Sequence, residues 1–140
     1  MKIIRTLIII AGLTLGLYAC KKDGTNFNTS SLVGKWNVVS DSTFAGVGST
    51  NHPVDYHGQP GDYFDFRTDG HVYTKEGTVL DTLSYNIVSN TGIIIQSFGI
   101  TLNGVPETSN VTFNAHGAVI DAPTIFTPGG AFGRKVTLSR

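Results

Sequence analysis

The sequence predicts an all-β protein: a small antiparallel up-and-down barrel with about eight strands. Three observations predict it. From Trp36 onward, apolar residues recur with a period of two, as where Phe64 and Phe66 alternate with Tyr63, Asp65 and Arg67. Turn-forming pairs separate the alternating runs, Asp69-Gly70 and Asn103-Gly104 most clearly. After Cys20 no stretch keeps a helical period long enough to make a helix. Sequential hairpins favour a meander, and closing the sheet removes its exposed edges.

Composition narrows the function classes. A chain of 140 residues holds one domain plus a leader and can bury a core without disulfide staples. Charged residues are only 14% and glycines number 17, which favours strands over helices. The formal net charge is zero; without residues 1–19, which carry Lys2 and Arg5, 8 basic residues face 10 acidic ones. Such a chain has no electrostatic footprint for nucleic acid. The one cysteine, Cys20, excludes an internal disulfide and a cysteine-rich metal site.

The first residues read as an address. Met1 to Arg5 is basic, and Leu7 to Ala19 carries no charge. That run is shorter than the roughly 20 residues of a membrane-spanning helix and has the flanks of a secretory signal. It stops at Leu17-Tyr18-Ala19-Cys20, followed at once by Lys21-Lys22-Asp23. This ending resembles the lipobox of bacterial lipoproteins: Leu17, Ala19 and Cys20 match, while Tyr18 stands where a small residue is usual. The resemblance implies a signal peptide over 1–19 and cleavage before Cys20. It also implies acyl chains on the Cys20 thiol and new amino group, holding the protein in the bacterial envelope, at the outer membrane. Residues 20–31 are then the lipidated cysteine and a polar, flexible linker, and 32–140 the domain.

Within the domain, alternation sets Trp36, Val38 and Ser40 on one face and Asn37, Val39 and Asp41 on the other. Residues 44–61 are rich in Gly and Pro and long for a connection, which suits a mouth loop or lid. Strands are expected over 62–67, 71–76, 79–88, 92–96, 98–102, 108–115 and 134–140, with a short pairing at 118–121 and a loop over 123–130. The expected inward residues are Val38, Phe64, Phe66, Leu83, Tyr85, Ile93, Ile95, Phe98, Ile100, Val111, Phe113 and Leu138.

Leu32-Val33-Gly34-Lys35-Trp36 resembles the opening Gly-x-Trp of lipocalins. The hairpin from Phe64 to Tyr73 and the closing run from Arg134 to Arg140 are similar to the lipocalin-like lipoproteins of Bacteroidetes-type bacteria. The resemblance implies an eight-stranded calyx open at one end. At the closed end Gly34 and Trp36 would sit beneath a basic side chain from the last strand, and Arg134 is preferred over Arg140 for that partner.

Two readings of the interior stand side by side. In one, a small hydrophobic ligand sits in the barrel, lined by Phe64, Phe66, Leu83, Tyr85, Phe98, Ile100 and Phe113. In the other, side chains fill the barrel, and the protein docks on an envelope partner through loops such as 44–61. His52, Asp55, His57, Asp62, Asp65, Asp69 and His71 crowd one region, but their spacing matches no metal site, and they read as solvated loop residues. No Gly-x-Ser-x-Gly elbow and no phosphate-binding loop is present. Nothing in the pattern sets two carboxylates together in an apolar pocket. The expectation is therefore a binding or interaction protein, without cofactor or metal, and not an enzyme.

Overall fold

In the computed structural model the described residues are 28–43, 55–99, 101–127 and 130–140, with backbone alone at 126, 127 and 130–132. Among the described residues thirteen strands follow a short 3-10 helix, Thr29–Leu32. They are β1 (Gly34–Thr43), β2 (Asp55–His57), β3 (Tyr63–Phe66), β4 (His71–Glu76), β5 (Val79–Ile87), β6 (Gly92–Ile95), β7 (Thr101–Leu102), β8 (Val105–Pro106), β9 (Ser109–Asn114), β10 (Gly117–Asp121), β11 (Ile125–Thr127), β12 (Gly130–Phe132) and β13 (Arg134–Ser139). Among the described residues there is no α-helix.

Eight of these strands close a barrel. β1, β3, β4, β5, β6, β9, β10 and β13 pair in that order, and β13 returns to pair with β1. Every pairing is antiparallel, from Gly34↔Phe66 on one side of β1 to Asn37↔Ser139 on the other. The meander is the one that the hairpin spacing predicts. β2 continues the rung that β3 begins, pairing with the far half of β1 through Asp41↔Tyr56. The hairpins β7–β8 and β11–β12 stand apart from the barrel sheet.

The two ends differ. The 3-10 helix, the turns at 67–70, 88–91 and 115–116, and the C-terminal Arg140 share one end, called here the sealed end. β1 finishes and β2 begins at the other, the loop end, where the β4–β5 turn and both extra hairpins also lie. The 3-10 helix corrects the linker boundary. Thr29 is buried; its backbone amide donates to the Asn90 carbonyl at 3.0 Å and its hydroxyl to the Ser89 carbonyl at 2.6 Å. The last residues of the expected linker thus belong to the domain.

One irregularity matters for everything at the loop end. Val38 pairs with Leu138 but Ser40 pairs with Thr137, so Val39 is an extra residue on β1. Such a bulge shifts the alternation by one. Trp36 and Val38 point inward before it, and Asp41 and Thr43 point inward after it. This corrects the expected placing of Asp41 on the face opposite Trp36.

The interior is occupied by the protein's own side chains. Leu32, Phe64, Phe66, Val72, Ile93, Phe98, Ile120, Val136 and Leu138 are all essentially inaccessible to solvent. Three other expectations need correcting. Phe98 lies in a turn, not a strand, and β7 begins only at Thr101. Residues 117–121 form a full barrel strand, flanked by β9 and β13. The expected loop at 123–130 contains β11.

Candidate functional site

At the sealed end, the backbone of Gly34 has φ +118°, a region that L side chains avoid, and this opens β1. Trp36 then points inward, and its indole N–H donates to the Leu32 carbonyl at 2.7 Å, tying the strand to the 3-10 helix. The guanidinium over the indole belongs to Arg140, 3.9 Å from the ring centre. Arg140 also donates to the carbonyls of Ser31 at 3.1 Å and Val33 at 2.9 Å. The preference for Arg134 as the partner of Trp36 is therefore corrected. β13 runs antiparallel to β1, so its last residue, not its first, lies beside the start of β1.

Arg134 closes the opposite end. It is buried with Asp41 and Glu76. Its Nε donates to Asp41 Oδ2 at 2.8 Å, its Nη2 to the same oxygen, and Nη2 also to Glu76 Oε2 at 3.1 Å. The Thr43 hydroxyl donates to the other Asp41 oxygen at 3.0 Å. The guanidinium lies over the Phe98 ring at 4.3 Å, and Phe98 meets Phe64 edge-on at 6.1 Å. The mouth of the barrel is thus shut by a ring and a buried ion network. Burial pushes the Glu76 carboxyl up to about 8, the nearby Asp41 carboxylate adds to this, and the Arg134 charge only partly opposes it. One cation with two carboxyls in a dry site is nearest to neutral when one carboxyl keeps its proton.

A second polar knot supports this end. Asp62 is buried and accepts from the Tyr56 hydroxyl at 2.5 Å, the Gln59 amide at 2.7 Å and the Gly77 amide at 2.9 Å. It ties the break between β2 and β3 to the β4–β5 turn. Burial pushes its carboxyl up, but the three hydrogen bonds outweigh that and hold it below the usual range. The reading of Asp62 as a solvated loop residue is corrected. Asp55, His57, Asp69 and His71 are exposed, Asp65 is half-buried and bonds Arg67 at 3.0 Å, and His52 lies outside the described residues. Among the described residues no three metal-ligating side chains converge.

The expected lining residues fill space for one another. Phe64, Phe66, Leu83 and Phe98 belong to the core, with Tyr85 and Phe113 packed against it. Phe66 meets Phe64 at 6.3 Å and Tyr85 at 5.4 Å. Ile100 lies outside the described residues, as does Cys20. Of loop 44–61 only residues 55–61 are described, and they include β2. Three cavities lined by described residues lie on the wall or at its ends. One of about 370 Å³ borders β5, β6 and the β7–β8 hairpin, one of about 310 Å³ lies outside β3, β4 and β5, and one of about 170 Å³ adjoins Trp36 and Arg140.

Sequence reasoning missed Asp41 and Glu76 as a buried carboxylate pair. Glu76 had a usable signal: it continues the inward alternation of Val72 and Thr74 along β4. Asp41 had none, because the bulge at Val39 leaves no mark in the composition. The pair is buried and engaged by Arg134. No family model matches this chain, and no curated protein or solved structure matches it.

Proposed function

We propose that the protein is a lipid-anchored, lipocalin-like lipoprotein of the bacterial envelope, held at the outer membrane through Cys20. Its filled barrel carries a surface that docks on an envelope partner through the loop end. The observation that supports this most is Phe98 seated under Arg134, with Phe64 directly behind it. An eight-stranded barrel has room inside for side chains or for one small ligand, and here side chains use it. Orientation follows from chain length. Cys20 lies eight residues before Asn28, which caps the 3-10 helix at the sealed end. That segment spans at most about 28 Å when extended. In this reading the sealed end, where the tether joins the domain, is the end nearer the lipid, and the loop end is free for a partner.

A second reading keeps a small hydrophobic molecule in the barrel. It is favoured by the placement of Phe98 on a turn, next to Ser97 at φ +66°, so that its ring is not carried by a wall strand. An apolar ligand would then take the place of that ring.

One titration separates the two. The full chain in micelles is titrated with the apolar fluorophore N-phenylnaphthylamine, beside the Phe98→Ala variant. A filled barrel leaves the wild type without a saturable one-to-one signal, and saturable binding by the wild type sinks it in favour of the ligand reading. The anchor has its own test: Cys20→Ser moves the protein from the membrane to the soluble fraction, and continued membrane fractionation of that variant refutes the acyl anchor.

A further inference from the structure

The strands beside β1 and beside β5 are both interrupted, and the chain treats the two gaps differently. Beside β1, β3 covers residues 34–37 and β2 takes over at 40–42, so a strand of three residues fills the second half of the rung. Beside β5, β6 reaches only residues 85–87. The chain then turns at Ser97, φ +66°, and leaves the sheet. Among the described residues no strand pairs with residues 79–83 on that side, while β4 pairs with all of them on the other. The Gln96 amide donates to the Ser84 carbonyl at 2.9 Å and the Tyr85 amide to the Gly70 carbonyl at 2.8 Å, so Ser84 faces the β6 side and Tyr85 the β4 side. Backbone groups alternate along a strand, so the N–H and C=O of Thr82 and Leu80 also face the open side. The Leu80 side chain is 69% exposed. Leu102 and Val105, on the β7–β8 hairpin that follows β6, are exposed as well.

We propose that this open edge of β5 is where an envelope partner docks, adding an extended segment of its own chain as a strand in line with β6. The proposal deepens the docking reading above and rests on it. Two residues of the added strand exchange N–H···O bonds with Thr82 and Leu80. So short a strand is enough, because β2 holds its place beside β1 with three residues. Side chains choose the partner. Asp81 lies on the inner face, exposed at the rim, opposite Thr74 of β4. It takes the closely spaced position of the added pair, so a lysine or arginine belongs opposite it. Leu80 and Thr82 point outward and favour apolar or β-branched neighbours. Lys75, on that outer face across from Leu80, disfavours a cation there. The segment therefore reads apolar, basic, apolar. A second copy of β5 lacks this pattern. Paired on itself through Leu80 and Thr82, it sets Asp81 against Asp81. Centred on Thr82 it meets Ser84, whose carbonyl Gln96 already uses, and centred on Leu80 it reaches Thr78, outside β5.

The test titrates the isotope-labelled full chain in micelles with the peptide acetyl-Thr-Val-Lys-Val-Thr-amide and follows the amide resonances of β5. Saturable shifts at Leu80 and Thr82 are expected, with slowed exchange of both amides and a dissociation constant in the roughly millimolar range. Methylating both valine nitrogens removes the peptide's donors to β5, and glutamate in place of its lysine sets like charges together. Each change should weaken binding about tenfold or more. Thr82→Pro removes an N–H that no ladder bond uses and should abolish binding. Should that variant melt early, Leu80→Lys, at an exposed position, carries the same expected loss, and the methylated peptide needs no variant at all. Three outcomes overturn the proposal: the parent peptide does not bind, the methylated one binds as well, or the chain sediments as a dimer that Thr82→Pro dissolves. Photocrosslinking in the intact envelope, from benzoylphenylalanine in place of Leu80 or of the exposed Asp55, separates this edge from docking in general. Crosslinks from position 55 but not 80 overturn the edge and leave loop-end docking standing; crosslinks from neither overturn both.

Discussion

Asp41 and Arg134, 93 positions apart, meet inside the barrel because the extra residue Val39 turns the second half of β1 over. Without that bulge Asp41 would face solvent, and Arg134 would be a buried charge with Glu76 as its one carboxyl partner. The bulge also inserts Thr43, whose hydroxyl orients the carboxylate from its other side. A local defect in one strand therefore builds the polar cap of the loop end.

Removing one member of this network should cost more than removing all of it. Asp41→Asn is expected to destabilise the fold by about 3–5 kcal/mol, because the oxygen that accepts twice from Arg134 is no longer a carboxylate and Glu76 must ionise in a buried site to balance the charge. The triple change Asp41→Leu, Glu76→Leu, Arg134→Met should cost less than Asp41→Asn alone. Urea denaturation of the three proteins measures this. A triple variant weaker than the single one would show that the charges stabilise the barrel in their own right.

The pH dependence of stability follows from two carboxyls with opposite shifts. Glu76 is raised from 4.5 to about 8, so the unfolded chain releases this proton near 4.5 and the folded chain only near 8. Its contribution is full below about 4.5 and is lost as pH rises toward about 8, a change on the order of a few kcal/mol. Asp62 is lowered below 3.8, so its contribution is present above that value and is lost in acid. The urea midpoint should therefore fall between pH 5 and pH 8, and Glu76→Gln should remove most of that slope. Equal slopes in the two proteins would place the titrating group elsewhere.

The two arginines of β13 and its end should rank in a fixed order. Trp36→Ala is expected to cost about 3–5 kcal/mol, since it empties a large buried volume. Arg140→Ala should cost about 1–2 kcal/mol: its stacking on the indole is at the surface, and water can replace it at the Ser31 and Val33 carbonyls. Arg134→Ala should exceed it, because it strands two buried carboxyls. Thermal melts of the three variants settle the order, and an Arg140→Ala melt lower than that of Arg134→Ala would reverse the assignment of the two ends.

Much of the barrel was legible in the chain. Phe64 and Phe66 face inward with Tyr63 and Asp65 turned out, and Gly70 takes the positive φ that an Asp-Gly turn requires. Asn103 and Gly104 both have positive φ, as a two-residue hairpin of that type demands. These features depend on neighbours within a few residues, and alternation or turn chemistry records them. The 3-10 helix was less legible, because its anchor on Ser89 and Asn90 spans some 60 positions.

The candidate site divides the same way. Trp36 as the plug of the sealed end was an expectation carried by the resemblance of Gly34-Lys35-Trp36 to the lipocalin opening. Its cation could have been read too, from the rule that a last strand antiparallel to the first brings its final residue to the first strand's start. The open edge at Leu80 and Thr82 could not, since it depends on which strands flank β5 on either side.

Taken alone, the order of residues determined the strand content, the turns, the meander and the apolar character of the barrel's inside. Each of these is a local property or a sum of local properties. Only the tertiary structure decided that Asp41 turns inward, that Arg134 and Arg140 serve opposite ends, and that Phe98 leaves its expected strand to stop the mouth. Those outcomes depend on register across the closed sheet, where one inserted residue exchanges the inside for the outside.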